Sequence, residues 1–196
     1  MTLPACRKHR NVDLTFQARI GDALTVATRG PDGNARSITV PVYWSDGQAD
    51  PDEVRRPDVT PAPAWIEGAW TQQLAGRRGY SIVQLDVRTR IGAPGDAEGD
   101  PFGHVCSDIA DAVEAIFAGA ESSGRLRAWV PLKDYADPAN PVALPSCIFV
   151  QTPAGDWGVP QDRRKLPPSG GMQRIVLRFS MRLTHDAVIR GWFAEV

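Results

Sequence analysis

The cleanest alternation of apolar and polar positions lies near the end of the chain. Over residues 172–184, Ile175, Leu177, Phe179, Met181 and Leu183 face one way and Arg174, Arg178 and Arg182 the other. That is the period-two pattern of a strand with one face on a core. Residues 80–88 repeat it, with Val83, Leu85 and Val87 opposite Gln84, Asp86 and Arg88. After a break rich in Gly, Pro and Asp the period changes. Phe102, Val105, Cys106, Ile109, Val113, Ile116 and Phe117 recur at spacings of three and four, while Ser107, Asp108, Asp111 and Glu114 fall opposite. One stripe is buried and the other wet, which predicts an amphipathic helix. Asp100 and Pro101 stand at its start as N-cap and first helical residue, and Gly119 is its stop.

The remaining pattern fills in around this strand and helix. Phe16, Ile20, Leu24 and Ala27 predict a first helix from Val12 or Asp13 to Thr28, weakened at Gly21 by about 1 kcal/mol relative to Ala. Residues 29–33 stop it with a Gly-Pro-Asp-Gly turn. Residues 37–44 have strand composition, but Pro41 makes them an edge strand or an extended arm. Residues 46–63 read as an exposed loop. Residues 64–70 form a strand joined to 80–88 as an antiparallel hairpin whose tip carries Arg77 and Arg78. Further strands are predicted at 126–132 and 147–151, with loops at 134–145 and 152–171; the second loop carries Arg163, Arg164 and Lys165. The expected fold is α+β: a mostly antiparallel sheet of about four to five strands with two helices packed on one face and long Pro/Gly-rich loops. It is expected to be a single domain over 1–196, with tails at 1–11 and 185–196.

Composition narrows the function classes. A chain of 196 residues is long enough for one real core. A formal net charge of −1 argues against a general affinity for nucleic acid or anionic membrane. No apolar run approaches the roughly 20 residues that span a bilayer, and the basic N-terminus lacks a signal-peptide core. The expectation is a protein kept inside the cell. Cys6, Cys106 and Cys147 are an odd number without close spacing, which excludes a complete disulfide framework or a CxxC zinc knuckle. Cys106 and Cys147 read as small core residues, and Cys6 on the tail beside Arg7, Lys8 and Arg10 as either a passive thiol, a more reactive one or an intersubunit link.

Chemistry is sparse. His104 and Cys106 are two apart on the predicted helix and point to different faces, so they make no nucleophile–base pair. His9 is in the tail, and His185 follows the last strand beside Asp186. Asp50, Asp52 and Glu53 lack the ligand register of a calcium loop. GxSxG, GxxxxGK[ST] and HExxH are all missing from the sequence. The expectation is a protein that is not an enzyme, with no cofactor and no metal. The row Arg174, Arg178, Arg182 is either a solvated face or one paired with acidic groups. Arg77 and Arg78 are either a solubilising tip or a contact for an acidic partner. Trp192 and Phe193 are an apolar tip, tucked onto the core or buried in an assembly.

The order of elements resembles the tail terminator (tail-completion) proteins of long-tailed bacteriophages and related gene transfer agents. The likeness spans residues 12–184. It consists of the helix around 16–24, a variable Pro-rich strand-and-loop region, the Gly-introduced strand 78–87, the aromatic-started helix 102–117 and the closing strand 173–181. The loops 31–63 and 134–171 are longer than that family needs. The resemblance implies a virion protein assembled in the host cytoplasm, a homo-oligomer forming a hexameric ring on the head-proximal end of the tail tube. Its partners are then the tail tube protein, the head-side connector or stopper, and the sheath if the tail is contractile. DNA passes through the lumen without specific binding, and no membrane is involved. The alternatives are another neck or head-completion protein, or a small α+β enzyme. The residues read as contacts, from their physical character and not from a family motif, are Arg77, Arg78, Arg163, Arg164, Lys165, Trp192 and Phe193.

Overall fold

The computed structural model describes residues 8–30, 32–45, 63–72, 80–92, 98–151 and 163–185. In chain order these form α1 (Lys8–Ile20), β1 (Ala23–Arg29), β2 (Ala35–Ser45), β3 (Ala64–Gln72), β4 (Tyr80–Arg90), α2 (His104–Ala115), β5 (Trp129–Asp134), β6 (Val142–Gln151), β7 (Arg163–Ser169) and β8 (Met172–His185). The strands make one sheet in the order β1-β2-β3-β4-β8-β6-β5, with β7 also paired to β8. β2 and β3 run parallel and every other pair is antiparallel. Along one side β8 meets the full length of β4. Along the other, residues 180–185 of β8 meet β6 and residues 172–177 meet β7.

The expected sheet of four to five strands with two helices packed on one face is overturned. Among the described residues strands make up 55% and helices 18%, so the fold is mostly β: eight strands curled into a half-barrel, with two helices. Two of the strands were concealed in the sequence. The first helix ends at Ile20, eight residues before the expected stop, because Gly21 takes φ +85° and its amide closes back on Gln17 O at 2.8 Å. Gly21 is a helix terminator and not a weak interior residue. The residues beyond it alternate as β1, with Leu24, Val26 and Thr28 more enclosed than Ala23, Thr25, Ala27 and Arg29. The second concealed strand is β7, inside the expected loop 152–171. The two-residue turn Gly170-Gly171, at φ +59° and +73°, folds it back onto β8.

Pro41 is neither on an edge strand nor on an arm. β2 lies between β1 and β3, and Pro41 sits where one partner gives way to the other. Ala23↔Pro41 is the last level of the β1 ladder, and Val42↔Ile66 is the first level of the β3 ladder. A residue without an amide proton is tolerated at that changeover. The β3–β4 hairpin has the expected antiparallel pairing. β5 begins at Trp129, three residues after the expected start, and β6 begins at Val142, inside the expected loop 134–145.

A single apolar core gathers Val12, Phe16 and Ile20 of α1, Val105, Cys106, Ile109, Ala110 and Val113 of α2, and the inward residues of seven strands. Phe16 is its hub. Fully buried, it stacks on Phe117 at 5.2 Å and meets Phe179, Trp70 and Trp44 at 5.9–6.0 Å. Trp44 fits only because Gly68 lies opposite: a Cβ on Gly68 falls 2.4 Å from the indole ring. Among the described residues no helix is long and apolar enough to cross a membrane.

Candidate functional site

A curled sheet that does not close leaves edges, and unpaired strand edges recruit other chains unless they are blocked. The outward amides of the β5 edge are all satisfied or missing. Val150 N donates to Ala128 O, so even-numbered residues of the first half of β5 bond to β6 and the odd ones turn outward. Trp129 N bonds to Leu126 O at 3.0 Å, and Pro131 has no amide proton. Beyond the bulge, Lys133 N donates to Thr15 Oγ1 at 3.2 Å and Tyr135 N to Asn11 Oδ1 at 3.0 Å. Asn11 and Thr15 are one helical turn apart on α1, and both are buried. Asn11 also donates to Asp134 Oδ1 at 3.1 Å. The N-terminal helix thus seals one end of the sheet.

The β1 edge is different. Val42 N donates to Asp22 O and Gly30 N to Asn34 O, which fixes the even-numbered residues of β1 as those bonded to β2. The peptide groups of Ala23, Thr25, Ala27 and Arg29 therefore point away from the sheet. Among the described residues no strand lies beyond β1 and no side chain caps these groups. Ala23, Thr25 and Ala27 are small and exposed, so they put no bulk in the way of an added strand.

Beside this edge lies an open groove of about 740 Å³, lined by Ala27, Thr28, Arg29, Phe102, His104 and Asp108 together with the β1–β2 turn. Its floor is the start of α2. Thr28, buried, donates a short hydrogen bond to Asp108 Oδ2 and ties β1 to the helix. Phe102 is 68% exposed, an unusual placement for a phenyl ring on a tightly held turn. The turn is fastened from several sides. Asp100 Oδ2 accepts from Cys106 N at 2.9 Å and Thr89 Oγ1 at 2.7 Å, and Oδ1 accepts from Val105 N at 3.2 Å. Gln173 Nε2 donates to Pro101 O and Lys165 Nζ to Phe102 O. Gly103 takes φ +74°, a conformation that a residue with a side chain adopts only under strain. The expected N-cap Asp100 and first helical residue Pro101 both lie before the helix: the observed N-cap is Gly103, and Asp100 accepts the first-turn amides of Val105 and Cys106 from three residues further out.

Of the residues singled out from the sequence, Arg77, Arg78, Trp192 and Phe193 lie outside the described residues, as do Cys6, the 46–62 loop with its acidic cluster, and the 186–196 tail. The other three lie on β7 and not in a loop. Arg163 and Lys165 stand at levels of the core residues Leu177 and Ile175 and reach α2; Arg164 stands at the level of Val176 on the opposite face. Arg163 pairs with Asp111 at 2.5 Å and Glu114 at 3.2 Å. Burial lifts the Glu114 carboxyl above its ordinary value, with Arg163 opposing. Burial also opposes the charge on Arg163, but its two acidic partners outweigh that and raise it. The arginine row is partly paired in cis. Arg174 bonds to Asp86, which with Arg88 and Glu67 forms a largely buried network on the sheet's other face; Arg178 bonds to Gln84 at 3.1 Å. Cys106 and Cys147 are both buried, and burial pushes the Cys106 thiol up to about 12.

Sequence reasoning missed the β1 edge because β1 itself was hidden inside an apparent helix. Alternation over residues 23–29 carried the signal, and Ile20, Leu24 and Ala27 masked it by fitting a helical period equally well. The chain matches no protein-family model, and no curated protein matches it.

Proposed function

We propose that this protein is a structural assembly protein, a tail terminator whose ring caps the head-proximal end of a phage tail tube and joins it to the head-side connector. The observation that carries the reading is the asymmetry of the two end strands of the sheet: the outward amides of β5 are sealed by Asn11 and Thr15 or missing at Pro131, and those of β1 are open at Ala23, Thr25, Ala27 and Arg29. A closed ring needs a contact between unlike surfaces of neighbouring copies, and a sheet with unlike edges supplies one side of such a contact. Two identical open edges would favour a two-fold dimer or uncontrolled stacking. The order of helix, hairpin, helix and closing strand adds further support through its likeness to the terminators. In this role the chain carries no catalysis. Its partners are further copies of itself, the tube protein, the connector or stopper and, in a contractile tail, the sheath.

Electron microscopy of the purified protein, alone and mixed with the tube protein of its virus, tests the proposal. Rings alone and tubes capped at one end in the mixture are expected. A stable monomer that leaves tubes uncapped refutes it, and binding to the head-side connector without binding to the tube assigns the chain to another neck position.

A further inference from the structure

We infer that β7 is a detachable strap, held down by ion pairs, that lifts from β8 while the rest of the sheet stays folded and so uncovers a further stretch of strand edge. This holds whether or not the chain forms a ring.

Detachment follows from what holds the strand. Six of the seven positions of β7 are exposed, and Leu166, the exception, is half-buried. None of its residues belongs to the apolar core. Lifting β7 therefore forfeits almost no apolar burial, which is the main term that holds the other strands. Its ladder is also short. Ile91 N donates to Gly171 O and Arg90 N to Pro63 O, so the odd-numbered residues of β8 bond to β4 and the even-numbered ones turn toward β6 and β7. The bonded levels between β7 and β8 are then Arg164↔Val176 and Leu166↔Arg174, and the register breaks before Ser169↔Met172. Pro167 and Pro168 fall at that break and have no amide proton to give.

The remaining tie is electrostatic. Arg163 pairs with Asp111 and Glu114 of α2, and Lys165 Nζ donates to Phe102 O at 3.4 Å. The Arg163 and Asp111 side chains are 35% and 63% exposed, so salt screens their attraction. β8 itself loses little when the strap leaves. Ile175 and Leu177 stay buried on the core and bonded to β4, and Arg174 keeps Asp86 as its partner. What opens is the outward edge at Arg174 and Val176, on the longest strand of the sheet. Edges of this kind recruit other chains, and β7 keeps this one covered reversibly.

The test is residue-resolved amide hydrogen exchange on the full chain at about 0.02 M and about 0.5 M NaCl, and on the Arg163→Ala variant at the lower salt. The amides of Arg174 and Val176 are expected to exchange about a hundredfold or more faster than those of Ile175, Leu177 and Arg182. Arg182 is the control of the same parity on β8, paired with β6 instead of β7. High salt and Arg163→Ala are each expected to speed Arg174 and Val176 by about threefold to fivefold and to leave Ile175 and Leu177 unchanged. Exchange at Arg174 and Val176 as slow as at Leu177 overturns the inference, since β7 then leaves only when the whole sheet unfolds. Fast exchange that is indifferent to both salt and Arg163→Ala overturns it as well, because ion pairs then do not hold the strap.

Discussion

Asn11→Leu removes the polar groups that seal one end of the sheet while keeping the number of side-chain heavy atoms. Asn11 is 5% exposed and accepts from Tyr135 N at 3.0 Å while donating to Asp134 Oδ1 at 3.1 Å. Leucine can do neither. A buried amide left without a partner costs about 1–3 kcal/mol, and the lost bond to the less buried Asp134 adds about 0.5–1 kcal/mol. Leucine recovers part of this through better helix propensity, by a few tenths of a kcal/mol. The net expectation is a loss of about 2–3 kcal/mol, which in a chain of this length lowers Tm by about 5–10 °C. Thr15→Val, which is isosteric, strips Lys133 N of its partner in a more exposed place and is expected to cost about 1 kcal/mol. Arg10→Ala, next to Asn11 on an exposed side of α1, is the control and is expected to stay within about 0.5 kcal/mol. Urea and thermal unfolding followed by circular dichroism measure all three. If Asn11→Leu is no less stable than Arg10→Ala, α1 does not seal β5 and the argument from unlike edges collapses.

Phe16→Ala empties the hub where four aromatic rings meet and is expected to cost about 3–5 kcal/mol, read from the urea midpoint. Burial pushes the Asp13 carboxyl up to about 6, and its Oδ1 lacks a hydrogen-bond partner among the described residues. The folded chain therefore holds this proton more tightly than the unfolded one, so the contribution to stability is lost as pH rises from about 3.8 to about 6. Asp13→Asn is expected to raise Tm at pH 7–8 and to make no difference below that window; an equal effect at all pH values contradicts the assignment. Cys106, whose thiol donates to Val87 O and whose ionisation is suppressed by burial, is expected to resist iodoacetamide at pH 8 until the protein unfolds. Mass spectrometry of native and urea-treated samples reads the difference.

What the sequence disclosed follows from how strongly one face of each element is buried. β4, β8 and α2 have sharp apolar stripes, because each presses one face on the same core, and their periods are legible without a structure. β7 has no such stripe. Arg163, Arg164, Lys165 and Leu166 hold it to β8 by main-chain pairing, Arg163 holds it to α2 by ion pairs, and Pro167 and Pro168 fall at the irregularity in the ladder, none of which leaves a hydrophobic pattern. Only the Gly170-Gly171 hairpin turn announces it. At Gly21 the ambiguity was between an interior flaw and a terminator, and it was settled by the buried Val26 and Thr28 of the strand that follows. The pairing of Asn11 with Tyr135 and of Thr15 with Lys133 joins positions more than a hundred residues apart. No local pattern could have signalled it. The exposed Phe102 was counted as part of the buried stripe of α2, because its spacing from Cys106 and Ile109 fits that stripe. The turn held by Asp100, Gln173 and Lys165 keeps it outside.

The account turns on the β5 edge being sealed and the β1 edge open, and residue-resolved amide hydrogen exchange reads both at once. In dilute, unassembled protein the amides of Lys133 and Tyr135 are expected to exchange slowly, and those of Thr25 and Ala27 quickly, at rates near those of solvated chain. In the assembled protein Thr25 and Ala27 are expected to become as slow as their even-numbered neighbours Leu24 and Val26. Slow exchange at Thr25 and Ala27 in the isolated chain, or fast exchange that persists after assembly, contradicts the claim.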